Sequence, residues 1–182
     1  MMNPRVLRSE KLSAPDAMRL EHDEMRAQLV SASMEAGPIG DAARRVARLC
    51  VPHFEQEEKL VFPIFELLHS LALGDVQREA AAVLPLVSRF CARHDRLHRH
   101  HKSIVSAIGA LLAAAHKEHN REIATFAQRL WLHERTEDAV IYPMATLAGN
   151  YVREALGLRP RWQEDRKTRR SCNIAASGHM VN

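Results

Sequence analysis

The 182-residue sequence predicts an all-α protein. Its expected form is an up-down-up-down antiparallel four-helix bundle over residues 13–150, with a basic C-terminal tail over residues 151–182. Three observations predict this. Apolar residues recur at intervals of three and four, the period of an amphipathic helix rather than of a strand. Gly (7), Pro (8) and aromatic residues (5%) are too few for a β-rich fold. Turn-type residues break the body at three places, leaving four long periodic segments. With 46% apolar residues, the chain can bury one core but is short for two.

The first helix is expected after Ser13, where Ser13-Ala-Pro-Asp16 has the form of a capping box with an early proline. Its stripe is Met18, Met25 and Leu29, with His22 on the same face, and Gly37-Pro38-Ile39-Gly40 ends it. The second helix should start near Asp41 and carry Val46, Leu49, His53, Leu60, Ile64 and Leu67, kinked or interrupted at Pro52 and Pro63. Gly74-Asp75 is the next turn. The third helix runs to about Ala115 with Pro85 in its first part. Its stripe is Val87, Cys91, His94, His98, Val105, Ile108 and Leu112. His116–Asn120 is a polar connection, and Asn120 can cap the fourth helix. That helix carries Ile123, Phe126, Leu130, His133, Glu137, Ile141 and Met144, and is expected to stop at Gly149-Asn150.

Composition excludes several function classes. Residues 151–182 hold seven Lys/Arg against three acids and account for the whole net charge of +4, so the body is neutral and does not support nucleic-acid binding. No run of 18 uncharged apolar residues predicts a membrane span, and the N-terminus lacks the apolar segment of a signal peptide. Three widely spaced cysteines (Cys50, Cys91, Cys172) give neither a disulfide framework nor a thiolate zinc site. A reducing, cytoplasmic setting is expected. Cys50 and Cys91 read as buried structural residues.

Among the eleven histidines, those set in spaced pairs or on the apolar stripes carry the chemistry. His53-Phe-Glu-Gln-Glu57-Glu58 continues to Val61-Phe62-Pro63, and His133-Glu-Arg-Thr-Glu137-Asp138 continues to Ile141-Tyr142-Pro143. Both read His-x3-Glu-acid-x2-β-branched-aromatic-Pro. Between them lies His94-Asp-Arg-Leu-His98, which echoes His22-Asp-Glu-Met near the start, so an internal two-fold repeat of helical hairpins is expected. Residues four apart stack on one helix face, so each pair can present two donors to a metal ion. Depth agrees. The midpoint of His22 and His53 falls at Gly37-Pro38, that of the second and third pairs beside Gly74-Asp75, and that of the third and fourth at the edge of the His116 connection. All candidate ligands thus lie at one level.

A single histidine on an apolar face is ordinarily a hydrogen-bonded core residue. Seven polar groups buried together without a cation would be costly. Imidazole with carboxylate suits iron, manganese or zinc, and the lack of thiolates argues against copper(I) and iron–sulfur clusters. Glu55, Glu58 and Glu134 read as solvated helix faces. His101, seven residues past His94, reads as a flank residue, with a supporting or substitute place in the site as the alternative.

These residues resemble the hemerythrin family, in its HHE cation-binding branch, over about residues 16–148. The family pattern falls on His22, His53/Glu57, His94/His98 and His133/Glu137, with Asp138 a substitute for Glu137. The resemblance implies a bundle holding two non-haem iron ions, oxo- or hydroxo-bridged, with both carboxylates bridging. It implies that His94, His98 and His133 hold one iron and His22 and His53 the other, where a small ligand binds. The implied function is binding of dioxygen, nitric oxide or peroxide for sensing, storage or stress protection. A di-iron oxidoreductase that decomposes peroxide or reduces nitric oxide is the alternative. A second alternative is an iron-binding regulator or iron donor that meets a protein partner through the basic tail.

Overall fold

The computed structural model describes residues 12–158, and all of the regular structure among them is helical. Four segments dominate. They are α1 (Asp16–Ser33), α2 (Gly37–Leu60), α4 (Leu84–Lys117), and α5 (Arg121–Thr136) running through a π-helical turn (Glu137–Ile141) into α6 (Tyr142–Ala155). Between α2 and α4 lie two 3₁₀ helices (Phe62–Leu67 and Arg78–Val83) and the short α3 (Leu68–Ala72). α1 packs on α2, α2 on α4, α4 on α5, and α1 on α5. No helix among the described residues is long and apolar enough to cross a membrane.

Local chemistry sets the ends, not always as expected. Pro15, not Ser13, precedes α1, and no side chain caps that helix; the Ser13 backbone N–H instead donates to Glu66 Oε2 at 2.8 Å. α2 starts earlier than Asp41, because Gly37 adopts φ +69°, a conformation that costs glycine little, and Pro38 fits the first turn. α2 continues past Pro52, while Pro63 opens the first 3₁₀ helix. Asn120 caps α5 as expected, its Oδ1 accepting from the Ile123 N–H at 3.0 Å. Gly149 does not stop the last helix. It is buried within α6, where a Cβ would lie 2.5 Å from Val87 Cγ1, so glycine there permits close approach of α6 to α4. The helix therefore takes in the first residues of the segment read as the tail; residues 159–182 lie outside the described residues.

The core is two apolar clusters with a polar layer between them. One joins Leu29 of α1, Val46 and Phe54 of α2, Ile104, Ile108 and Leu111 of α4, and Phe126 and Leu130 of α5. The other joins Leu60, Phe62 and Ile64 to Val87, Phe90 and Leu97 of α4 and to Tyr142, Ala145 and Val152 of α6. On every long segment the site residues fall where one cluster hands over to the other: 53–57 on α2, 101 on α4, 133–137 at the end of α5.

Candidate metal centre

Four imidazoles, one from each long segment, meet in two pairs. His22 Nε2 of α1 lies 3.2 Å from His133 Nε2 of α5, and His53 Nε2 of α2 lies 2.7 Å from His101 Nε2 of α4. Two nitrogens bound at right angles to one ion, each about 2.1 Å from it, would lie about 3.0 Å apart. Both separations are close to that value.

Two glutamates connect the pairs. Glu57 Oε1 is 3.4 Å from His53 Nε2 and 3.8 Å from His101 Nε2, while its Oε2 is 3.8 Å from His22 Nε2. Glu137 Oε1 is 3.1 Å from His133 Nε2 and 3.6 Å from His22 Nε2, while its Oε2 is 3.6 Å from His101 Nε2 and 3.9 Å from His53 Nε2. Each carboxylate thus turns one oxygen to each histidine pair. Glu134 serves only one side, its Oε2 lying 3.7 Å from His101 Nε2 and 3.9 Å from His53 Nε2. His53, His101, Glu134 and Glu137 form one group whose donor atoms all lie within 4.8 Å of one another, and His22, His133 and Glu137 form a second, so these buried groups could hold metal ions.

The carboxylate oxygens fit a cation better than they fit each other. Glu57 Oε2 and both oxygens of Glu134 and Glu137 are buried without a hydrogen-bond partner. The 3.1 Å approach of Glu137 Oε1 to His133 lacks hydrogen-bond geometry. Buried polar atoms in native cores are ordinarily satisfied, so five unpaired oxygens around four imidazoles mark a place for positive charge.

The electrostatics of the metal-free cluster agree. Burial, then the nearby Glu137, raises Glu57; the same two causes raise Glu134 well above the usual carboxylate range. Burial works against Glu137 too, but His133 beside it outweighs this and holds it well below that range. Burial opposes charging of His101, yet its hydrogen bond with Asp138 and the nearby Glu57 and Glu134 carboxylates lift it to about 10. For His133 burial is likewise outweighed, chiefly by Glu137, giving about 11. Burial, then the Glu134 carboxylate, pushes the Cys50 thiol up, in keeping with a structural cysteine.

Of the residues singled out in the sequence, His22, His53, Glu57, His133 and Glu137 come together. His94 and His98 do not reach the cluster. The His94 side chain keeps 21% of its exposure and lies against Asp95; that of His98 keeps 45%, with Nδ1 3.2 Å from Asp138 Oδ1. His101 stands where that pair was expected, and it pairs with His53, while His22 pairs with His133. The physical reason is the buried stripe of α4, which runs Phe90, Leu97, His101, Ile104, Ile108, Leu111 and leaves His98 off it. Two 3₁₀ helices and α3 stand where the sequence predicts a simple turn at Gly74-Asp75, and they shift the register of α4. Glu134, read as a solvated face, is fully buried. Its signal was its place: on a helix His133, Glu137, Glu134 and Asp138 follow one another around an arc of about 140°, so all four can face inward neighbours. Asp138 lies behind the cluster, on His101 Nδ1 at 2.7 Å.

The surroundings of the two pairs differ. Tyr142 donates its hydroxyl to Glu57 Oε1 at 2.7 Å and stacks on His101. Phe54 and Phe62 instead lie against His22, with ring centroids 4.1 Å and 4.9 Å away. A cavity of about 230 Å³ walled by Met18, Met25, Phe62 and Ile141 reaches His133 and Glu137 on this second side.

No family model, curated protein or solved structure matches the chain.

Proposed function

We propose that this chain is a hemerythrin-like protein: an up-down-up-down four-helix bundle whose polar layer holds two non-haem iron ions. In this reading it binds dioxygen, or nitric oxide or peroxide, in the cytoplasm for sensing, storage or stress protection. The observation that carries the proposal is the pair of carboxylates, Glu57 and Glu137, each with one oxygen toward either histidine pair. One ion would be held by His53, His101 and Glu134, the other by His22 and His133, with Glu57 and Glu137 shared. The spacing of four within His53/Glu57 and His133/Glu137 supports this, since it puts nitrogen and carboxylate of one helix at one height.

Two iron ions bound there would supply electrons and an open position to a small oxidant. The chain's own residues do the rest. The His22–His133 side has one carboxylate fewer than the other and adjoins the cavity, so a small ligand reaches the centre there. Met18, Met25, Phe62 and Ile141 make much of that approach apolar, which suits an uncharged diatomic molecule, while Glu21, Arg129 and Thr136 line it as well. On the other side Tyr142 holds Glu57 through its hydroxyl proton and keeps that carboxylate turned between the pairs.

The test is anaerobic iron loading followed by metal analysis and an optical spectrum before and after dioxygen. Two irons per chain, and near-ultraviolet charge-transfer bands appearing on exposure, are expected. Less than one iron per chain without such bands overturns the proposal.

A further inference from the structure

Each half of the sequence repeat ends in two adjacent acids, Glu57-Glu58 and Glu137-Asp138. The first of each doublet faces both histidine pairs. The second is turned roughly 100° further around its helix, and in both halves it meets the outer nitrogen of a histidine from a neighbouring helix. Glu58 Oε1 lies 3.0 Å from His22 Nδ1, and Asp138 Oδ1 lies 2.7 Å from His101 Nδ1. These two histidines belong to different pairs. The other members differ: His53 Nδ1 has no hydrogen-bond partner, and His133 Nδ1 has only a looser ion pair, with Glu21 Oε1 at 3.6 Å.

We propose that Glu58 and Asp138 are positioning carboxylates, each fixing one imidazole per ion so that its Nε2 is presented to the centre. The inference rests on the metal reading above. A carboxylate that accepts the Nδ1–H of a histidine leaves the Nε2 lone pair pointing away from it, locks the ring and raises its basicity. Both carboxylates are themselves held. Arg26 donates to Glu58 Oε1 at 2.6 Å and is tied in turn to Asp23 at 2.8 Å. Asp138 Oδ1 also takes His98 Nδ1 at 3.2 Å from the solvent side. This gives the second acid of the doublet a role that a solvated face would not have. It also gives one to His98, as the outer brace of Asp138 rather than as a donor to the centre.

The test uses the full chain with cobalt(II) as the probe ion. Affinity is measured by competition with a chromophoric chelator, and geometry by the visible absorption bands. Asp138→Ala and Glu58→Ala should each weaken binding of cobalt by about 10- to 100-fold and alter the bands. Asp138→Asn and Glu58→Gln keep an acceptor oxygen in place and should recover most of the affinity. They also serve if an alanine variant fails to fold. In the wild-type chain the cobalt-shifted Nδ1–H proton of His101 should resist exchange with solvent, and in Asp138→Asn it should remain visible. Folded alanine variants with wild-type affinity and bands overturn this inference alone, as does an amide variant no stronger than its alanine counterpart. No uptake of cobalt by the wild-type chain overturns the metal reading and this inference with it.

Discussion

Each histidine pair takes one member, His53 or His133, from a repeated motif, yet the surroundings of the two pairs differ in character. Around His53 and His101 the repeat supplies Glu134 and Tyr142, a buried carboxylate and a buried hydroxyl. At the same repeat positions around His22 and His133 it supplies Phe54 and Phe62, which stack on or tilt against His22. Among the described residues, the cavity that reaches His133 and Glu137 lies on the apolar side. In the proposed reading Glu57 and Glu137 serve two ions, while two exchanges, Glu for Phe and Tyr for Phe, separate the two sides. The polar half adds a donor and a hydrogen bond. The apolar half leaves room beside its nitrogen pair.

Breaking what both halves share should have the largest effect. Glu57→Ala removes the oxygen facing each pair, and iron content is expected to fall from two ions per chain to below one, by metal analysis of the purified protein. Breaking the polar half alone should be selective. Glu134→Ala should weaken one of two steps in a cation titration and leave the other in place. The same change should raise the melting temperature of the metal-free protein, because it removes a buried carboxylate that lacks a hydrogen-bond partner. Equal weakening of both steps would mean that the halves are not distinct.

The metal-free protein should also carry a pH signature. His101 and His133 are raised from 6.5 to about 10 and 11, so their stabilisation is complete below pH 6.5 and is lost as pH rises through those values. Glu137 is held well below 4.5, so its contribution is present above that value and lost as pH falls through its lowered pKa. Glu57 and Glu134 are raised, so their contribution is present below about pH 4.5 and is lost as pH rises above it. Melting temperatures measured in chelator should therefore be highest near about pH 4.5 and fall as pH rises toward about 10. Flat behaviour from pH 6.5 to 10 would contradict the cluster's geometry. Tyr142→Phe makes the polar half resemble its counterpart and leaves Glu57 without its donor; a loss of about 1–3 kcal/mol is expected in denaturant unfolding. The smallest effect belongs to Glu55, half-exposed and bonded only to Lys59 at 3.1 Å, where alanine should change stability by less than about 0.5 kcal/mol.

Much of this was legible in the chain. Helical periodicity gave the long segments, and Asn120 gave a helix start by its own side chain. The repeat gave four of the clustered donors, because a spacing of four fixes height and face within one helix without reference to any neighbour, and His22 was legible from its place on the apolar stripe of the first helix. His98 satisfies the same spacing and yet falls off the buried stripe, while His94 shares the face of His101 but lies seven residues, about two turns, before it. Nothing within α4 shows which height along that face meets the donors of the other helices.

By itself, then, the sequence determined that the chain is helical and that α1, α2 and α5 each bring imidazole inward. It also placed a carboxylate one turn beyond two of those histidines. These are properties of single helices, written in local spacing and capping. Tertiary structure alone decided which nitrogen faces which, that His101 and Glu134 enter the layer, and that the second acid of each doublet backs a histidine on another helix. The reason is that the rotation and height of α4 against α2 are set by how Leu97, Ile104 and Ile108 pack, after an irregular connection whose length in residues does not fix its span.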